Sequence, residues 1–151
     1  MKSRAFVISV LGAVLMVGCS SNAPRTTAAS SVTAGPSTAA SGDNGRTIFQ
    51  YGKDSTGRPI VAATKPLYAT CAACHHPNGE GGMHFPDGAV SADLRNKALM
   101  STKPTYSLAL LERAISTGID NQNKKLDPVM PHWKLSPRDL HDVAVYVMSL
   151  K

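Results

Sequence analysis

Two stretches of this chain repeat apolar residues with a helical period, and a third has no period at all. Leu140, Val143, Val147 and Leu150 recur at three- and four-residue spacing with Ala144 beside them, which predicts a helix that buries one face. Its start is signposted. Ser136 is the cap, Pro137 takes the first helical position, Asp139 lies three residues past the cap, and Leu135 and Leu140 are spaced as a hydrophobic staple. Leu108, Leu111 and Ile115, widened by Leu110 and Ala114, predict a second helix over 104–118, opened by Pro104 and stopped by Gly118. A shorter helix is expected from Asp43, which can cap it, to Tyr51, with Gly52 at its end. Pro66 can open one more turn, placing Leu67, Cys71 and Cys74 on a common face.

The segments without period divide the chain. Lys2 and Arg4 precede an apolar run, Ala5 to Val17, that is too short for a comfortable membrane span, so residues 1–18 read as an export signal. Ser20 to Ser41 is almost entirely Ser, Thr, Ala, Gly and Pro, with Arg25 its only charge. It has too little apolar bulk to offset the entropy of ordering it, and reads as a tether. The expected domains are therefore a signal at 1–18, Cys19 with the tether at 19–41, and one all-α domain at 42–151. Within that domain Lys53 to Lys65 is a loop with Asp54, Gly57 and Pro59 as turn residues and Ile60-Val61 as a short apolar contact, and Gly118 to Lys125 is a second, polar loop.

Composition adds two limits. A chain of 151 residues, less its leader and tether, leaves about a hundred to fold, a small core that a large apolar cofactor would enlarge. The formal charge of +6 falls to +4 without Lys2 and Arg4, which favours acidic docking partners, but no basic run is dense enough for nucleic acid.

The chemistry is concentrated in Cys71-Ala72-Ala73-Cys74-His75. Two cysteines two residues apart and followed at once by histidine are the attachment signature of c-type haem. One helical turn brings residues i and i+3 to the same face, where each thiol can add to one porphyrin vinyl group. The next residue then lies beneath the ring, so Cys71 and Cys74 read as thioether anchors and His75 as the proximal iron ligand. Zinc would need four N or S ligands, and the only other cysteine, Cys19, lies at the end of the leader. A thioredoxin-like pair would sit beside a βαβ pattern, and no such run of strands is present. The three cysteines therefore form no disulfide framework.

Two resemblances follow. Leu15-Met16-Val17-Gly18-Cys19 resembles the bacterial lipobox, with Met16 in place of the more usual leucine. That resemblance implies cleavage before Cys19, its lipidation, and anchoring at the periplasmic face of a membrane, with Ser20 pointing to the outer membrane. Residues 42–151 resemble the monohaem class I cytochromes c. The resemblance is carried by Gly45-x-x-Ile48-Phe49, by Cys71-x-x-Cys74-His75 with the glycine-rich Asn78–Gly82 after it, by Met130-Pro131 in the loop before the final helix, and by that helix. In this family the first and last helices pack together, which pairs Phe49 with Tyr146. The small helical domain wraps around one covalent haem c, and Met130 would supply the second axial ligand. Met83, His84, Met100 and His132 remain rivals for that position. Pro86 is the candidate carbonyl for the ring nitrogen of His75, Leu94 would lie near the haem edge, Arg95 is read as solvated, and Trp133 would cover the haem edge.

The resemblance implies electron transfer rather than enzymatic turnover. A monomeric carrier would accept one electron from a donor dehydrogenase or quinol oxidase complex and pass it to an acceptor oxidase or reductase. A haem subunit of a larger oxidoreductase is the alternative. If Met130 does not coordinate, a five-coordinate peroxidase or gas-binding protein is another.

Overall fold

In the computed structural model the described residues are 38–151, with side chains described from Gly42 onward. The expected signal, Cys19 and the tether through residue 37 lie outside them. The described chain forms α1 (Thr38–Tyr51), β1 (Val61–Ala62), α2 (Ala72–His75), α3 (Asn96–Ser101), α4 (Leu108–Thr117), β2 (Trp133–Lys134) and α5 (Pro137–Ser149). No helix among the described residues is long and apolar enough to cross a membrane.

The fold is organised by α5 crossing α1. α5 begins as its sequence dictates: the Asp139 N–H donates to Ser136 Oγ at 3.1 Å, and the Ser136 hydroxyl donates to Asp139 Oδ2 at 2.6 Å. Such a cap contributes about 1 kcal/mol. The expected apolar face is buried, with Val143, Ala144 and Val147 at or below 2 % exposure, and it meets Ile48 and Phe49, which have none. Close approach depends on Gly45, where a Cβ would overlap the backbone carbonyl of Asp142. One turn on, the Phe49 and Tyr146 rings lie 5.4 Å apart at 55°, the pairing expected from the resemblance. Asn44 closes the crossing, its Nδ2 donating to Asp142 Oδ2 (2.7 Å) and Asp139 Oδ1 (3.0 Å) while its Oδ1 accepts from the Ser55 N–H (2.7 Å). Satisfied amide and carboxylate groups can be buried here at little cost.

Several local expectations are corrected. α1 starts at Thr38 rather than Asp43, since Thr38-Ala39-Ala40-Ser41 continues the helix upstream and Asp43 lies within it. α4 starts at Leu108 rather than Pro104, because Ser107 supplies the cap, its Oγ accepting from the Leu110 N–H at 3.3 Å. Gly118 ends α4 in the left-handed conformation (φ 67°), as expected. Pro66 opens no helical turn: Leu67 is 68 % exposed, and α2 begins only after Thr70, whose hydroxyl accepts from the Ala73 N–H. Two elements are additional to the all-α expectation or missing from it. α3 is short and buries a single leucine, Leu99, while Asn96 ties its start to the end of α5. The antiparallel ribbon β1–β2 pairs Val61 with Lys134 and Ala62 with Trp133.

Candidate functional site

The haem-attachment motif lies on α2 and opens onto a cavity of about 350 Å³ in the middle of the domain. Its walls are the inner faces of the helices, among them Phe49, Leu99, Leu111, Ile115, Val143 and Val147, together with Trp133 from β2. Cys71, Cys74 and His75 line it, and so do Val129, Met130 and Pro131. The size and the apolar walls with few polar groups are those of a cofactor pocket.

Local backbone structure positions each group. The His75 N–H donates to the Cys71 carbonyl at 2.9 Å, closing the turn that sets both cysteines and the histidine on one short helix. Neither cysteine is in a disulfide. Burial pushes the Cys71 thiol up to about 12 and raises that of Cys74, so both are protonated at neutral pH. His75 is 7 % exposed, and burial holds its imidazole below the ordinary value and therefore neutral at pH 7. Its Nδ1 lies 2.8 Å from the Ala92 carbonyl oxygen, which makes Nδ1 the protonated nitrogen and leaves the lone pair on Nε2.

The carbonyl that orients His75 is thus Ala92's and not Pro86's. Residues 83–91 fold back on themselves through Phe85–Ala89 and Met83–Ser91 backbone hydrogen bonds, which carries the exposed Pro86 to the tip of the turn. The returning strand of that turn supplies Ala92, and Ser91 braces it by donating from Oγ to the Cys74 carbonyl at 2.8 Å. No side-chain pattern marks a backbone carbonyl in advance.

The other expected residues separate cleanly. Of the candidates for the second axial position, Met130 lines the cavity and Met83, His84, Met100 and His132 do not. The His132 ring instead occupies the space where Gly118 lacks a Cβ. Leu94 reaches the wall, while Arg95 is taken by Asp93, at 2.6 Å between Nη2 and Oδ2. Trp133 is 4 % exposed and forms part of the wall. The cavity also has a polar end that sequence reading missed, formed by Thr102, Tyr106 and Asn121. There the Asn121 Nδ2 donates to Thr102 Oγ1 at 2.8 Å, and burial raises the pKa of the Tyr106 phenol. Asn121 is buried while the four polar residues after it, 122–125, are exposed, so only the fold reveals which polar member of the loop turns inward.

The donor set fits haem c: two free thiols spaced for two vinyl groups, a neutral imidazole with one nitrogen anchored, and an apolar cavity with a thioether in its wall. Comparison with curated proteins and with solved structures gives no significant match. The family model for cytochrome c matches residues 61–151, more than half of the chain and every residue that lines the cavity except Phe49. The chain therefore belongs to the cytochrome c family, whose members bind covalent haem c and generally transfer electrons.

Proposed function

We propose that the protein is a monohaem one-electron carrier in which Cys71 and Cys74 form the thioether links and His75 and Met130 are the axial ligands. The observation that carries this reading is that the methionine of the pre-α5 loop lines the same cavity as Cys71, Cys74 and His75, while its four rivals lie elsewhere. When bound, the haem supplies a reversible one-electron couple at its iron.

The chain's own residues do the rest. Each protonated thiol can add S–H across one vinyl bond, which requires no oxidant. Ala92 holds the His75 imidazole in a single tautomer, so Nε2 is presented as a ligand without reorganisation. The Met130 thioether and the apolar walls both disfavour extra positive charge, which raises the reduction potential. If His75 and Met130 both held the iron, no position on it would be left for a substrate, and the protein would transfer electrons rather than turn a substrate over.

The leader supports a setting for this carrier: Cys19 lipidated, residues 20–41 as a tether, and the domain at the periplasmic face of a bacterial membrane, the outer one by the Ser20 analogy. Its partners would be a donor dehydrogenase or quinol oxidase complex and an acceptor oxidase or reductase, met in brief encounters.

The test is a redox-titrated visible spectrum of the mature protein alongside its intact mass. The oxidised protein is expected to show a sulfur-to-iron band near the red edge, and the mass to equal the chain from Cys19 plus lipid and one haem. Met130→Ala should keep the covalent haem, lose that band and lower the potential. An unchanged potential in Met130→Ala would refute the axial assignment and turn the reading toward a five-coordinate protein.

A further inference from the structure

We propose that residues 60–63 form a clasp that positions the Met130 loop; this rests on Met130 being an axial ligand. The segment between α1 and the haem motif has a braced structure of its own. Asp54 gathers Thr56 and Arg58 around its carboxylate, the Ile60 N–H returns to the Gly52 carbonyl at 2.9 Å, and the Ser55 N–H is held by Asn44. What this braced loop delivers is β1. It pairs with β2 directly after Met130-Pro131-His132, and the Ala63 N–H donates to the His132 carbonyl at 2.7 Å.

Met130 itself packs on the core, and among the described residues the other backbone hydrogen bonds of its loop lie at the far end. There the Leu126 N–H donates to the Gly118 carbonyl at 2.8 Å, and Asp127 accepts from the N–H groups of Val129 and Met130, both at 2.9 Å. Residues 126–132 belong to no helix or strand. The ribbon fixes their other end, and it does so through Trp133, which lines the cavity beside Met130. Ile60 and Ala62 pack on the core, so the clasp is seated on the protein rather than hanging from the loop it grips. Ala63 and the β1 pair are therefore positioning residues that act through Met130.

In ferric holoprotein, imidazole competes with the methionine sulfur for iron, so its apparent affinity reports how often the loop opens. Ala63→Pro removes the donor to His132 and is expected to raise that affinity roughly five- to tenfold, the worth of one backbone hydrogen bond. Because Ala63→Pro can also disturb folding, Val61→Gly combined with Ala62→Gly serves as a second variant. It keeps every donor, makes extended backbone costlier to hold, and should give roughly threefold or more. Met130→Ala sets the upper limit. Ser107→Ala, which removes the α4 cap and lies outside the ribbon and its brace, should change nothing. Unchanged affinity in the folded ribbon variants, with the sulfur band intact, overturns the clasp and leaves Met130 ligation standing. An equal gain in Ser107→Ala overturns it too, as general loosening. A wild type that lacks the band and binds imidazole as tightly as Met130→Ala overturns the ligation, and the clasp with it.

Discussion

The segment Gly52–Ile60 after α1 and the segment Gly118–Leu126 after α4 share one hydrogen-bond pattern but are fastened to different neighbours. Each starts with a left-handed glycine, φ 63° at Gly52 and 67° at Gly118. Two residues on, an aspartate accepts from the N–H groups two and four positions later: Thr56 and Arg58 on Asp54 Oδ1, Gln122 and Lys124 on Asp120 Oδ1. A positive-φ residue follows at the sixth position, Gly57 or Asn123, and each loop closes on its first carbonyl, from Ile60 at 2.9 Å and from Leu126 at 2.8 Å. The difference lies in what each is fastened to. Asn44 holds the first loop at Ser55, whereas Arg113 reaches from α4 to grip the second through Asn123 Oδ1 (2.8 Å) and the Asp120 carbonyl. At the fourth position Ser55 is exposed, while Asn121 is buried and lines the cavity. One loop geometry thus delivers β1 on one side and the Met130 segment on the other, and the two products pair as the β1–β2 ribbon.

The sharpest way to break this equivalence is at the two opening glycines. Both occupy left-handed backbone, so alanine costs about 1 kcal/mol at either from conformation alone. A Cβ at Gly52 would also overlap the backbone carbonyl of Ala69, which cannot swing aside, whereas at Gly118 it would meet the His132 ring, which can. Gly52→Ala is therefore expected to lose about 3 kcal/mol or more and Gly118→Ala about 1–2, read as unfolding midpoints of the holoproteins. Equal losses would mean that the neighbours contribute nothing beyond φ.

A second, smaller effect separates the aspartates. Asp54 accepts from four donors, adding the Thr56 hydroxyl at 2.6 Å and Arg58 Nε at 2.8 Å to the two backbone groups that Asp120 also has. The Thr56 hydroxyl first, then the Arg58 and Thr56 groups, hold its pKa well below the carboxylate range against the opposing pull of burial. A carboxyl depressed in the folded state stabilises it fully above its unfolded value of about 3.9, and that contribution is lost as pH falls toward the folded value. Asp54→Asn should accordingly lower the unfolding midpoint at pH 7, flatten its decline below about pH 4, and converge with wild type in strong acid. Parallel curves would show that the carboxylate's charge is immaterial there.

The long periodic helices and the attachment motif were legible in the chain because each rests on several residues at regular spacing: the α5 face with its Ser136–Asp139 cap, the Leu111/Ile115 stripe, and Cys71-x-x-Cys74-His75. The Phe49–Tyr146 contact was legible only through the family resemblance. What was not legible depends on backbone or on distant partners. Ala92 acts through its carbonyl, a group every residue has. β1 and β2 are too short to show an alternation, and their pairing joins segments on either side of the haem motif and α4. The loop equivalence was present in the letters, Gly-x-Asp-x-x-(Gly or Asn)-(Arg or Lys)-x-(Ile or Leu) at both places. Read separately, each passed for ordinary turn chemistry.

The smallest expected effect tests that last point, because it concerns the position where the two loops solve one problem differently. At φ 64° asparagine costs a few tenths of a kcal/mol to about 1 kcal/mol relative to glycine, and Asn123 offsets this with its exposed contact to Arg113. An exposed hydrogen bond to a guanidinium contributes about as much. Asn123→Gly should therefore change stability by no more than about 0.5 kcal/mol in either direction. Gly57 has the same backbone freedom but nothing within 4 Å of where its Cβ would lie, so an asparagine there would meet the cost with no partner to offset it. Gly57→Asn should destabilise by about 1 kcal/mol. The pair of values decides what fixes the loop. A near-zero and a positive cost mean that conformation sets the geometry and Arg113 merely compensates. A loss above about 1.5 kcal/mol in Asn123→Gly would mean that Arg113, whose buried Nε has no hydrogen-bond partner among the described residues, holds the second loop in place.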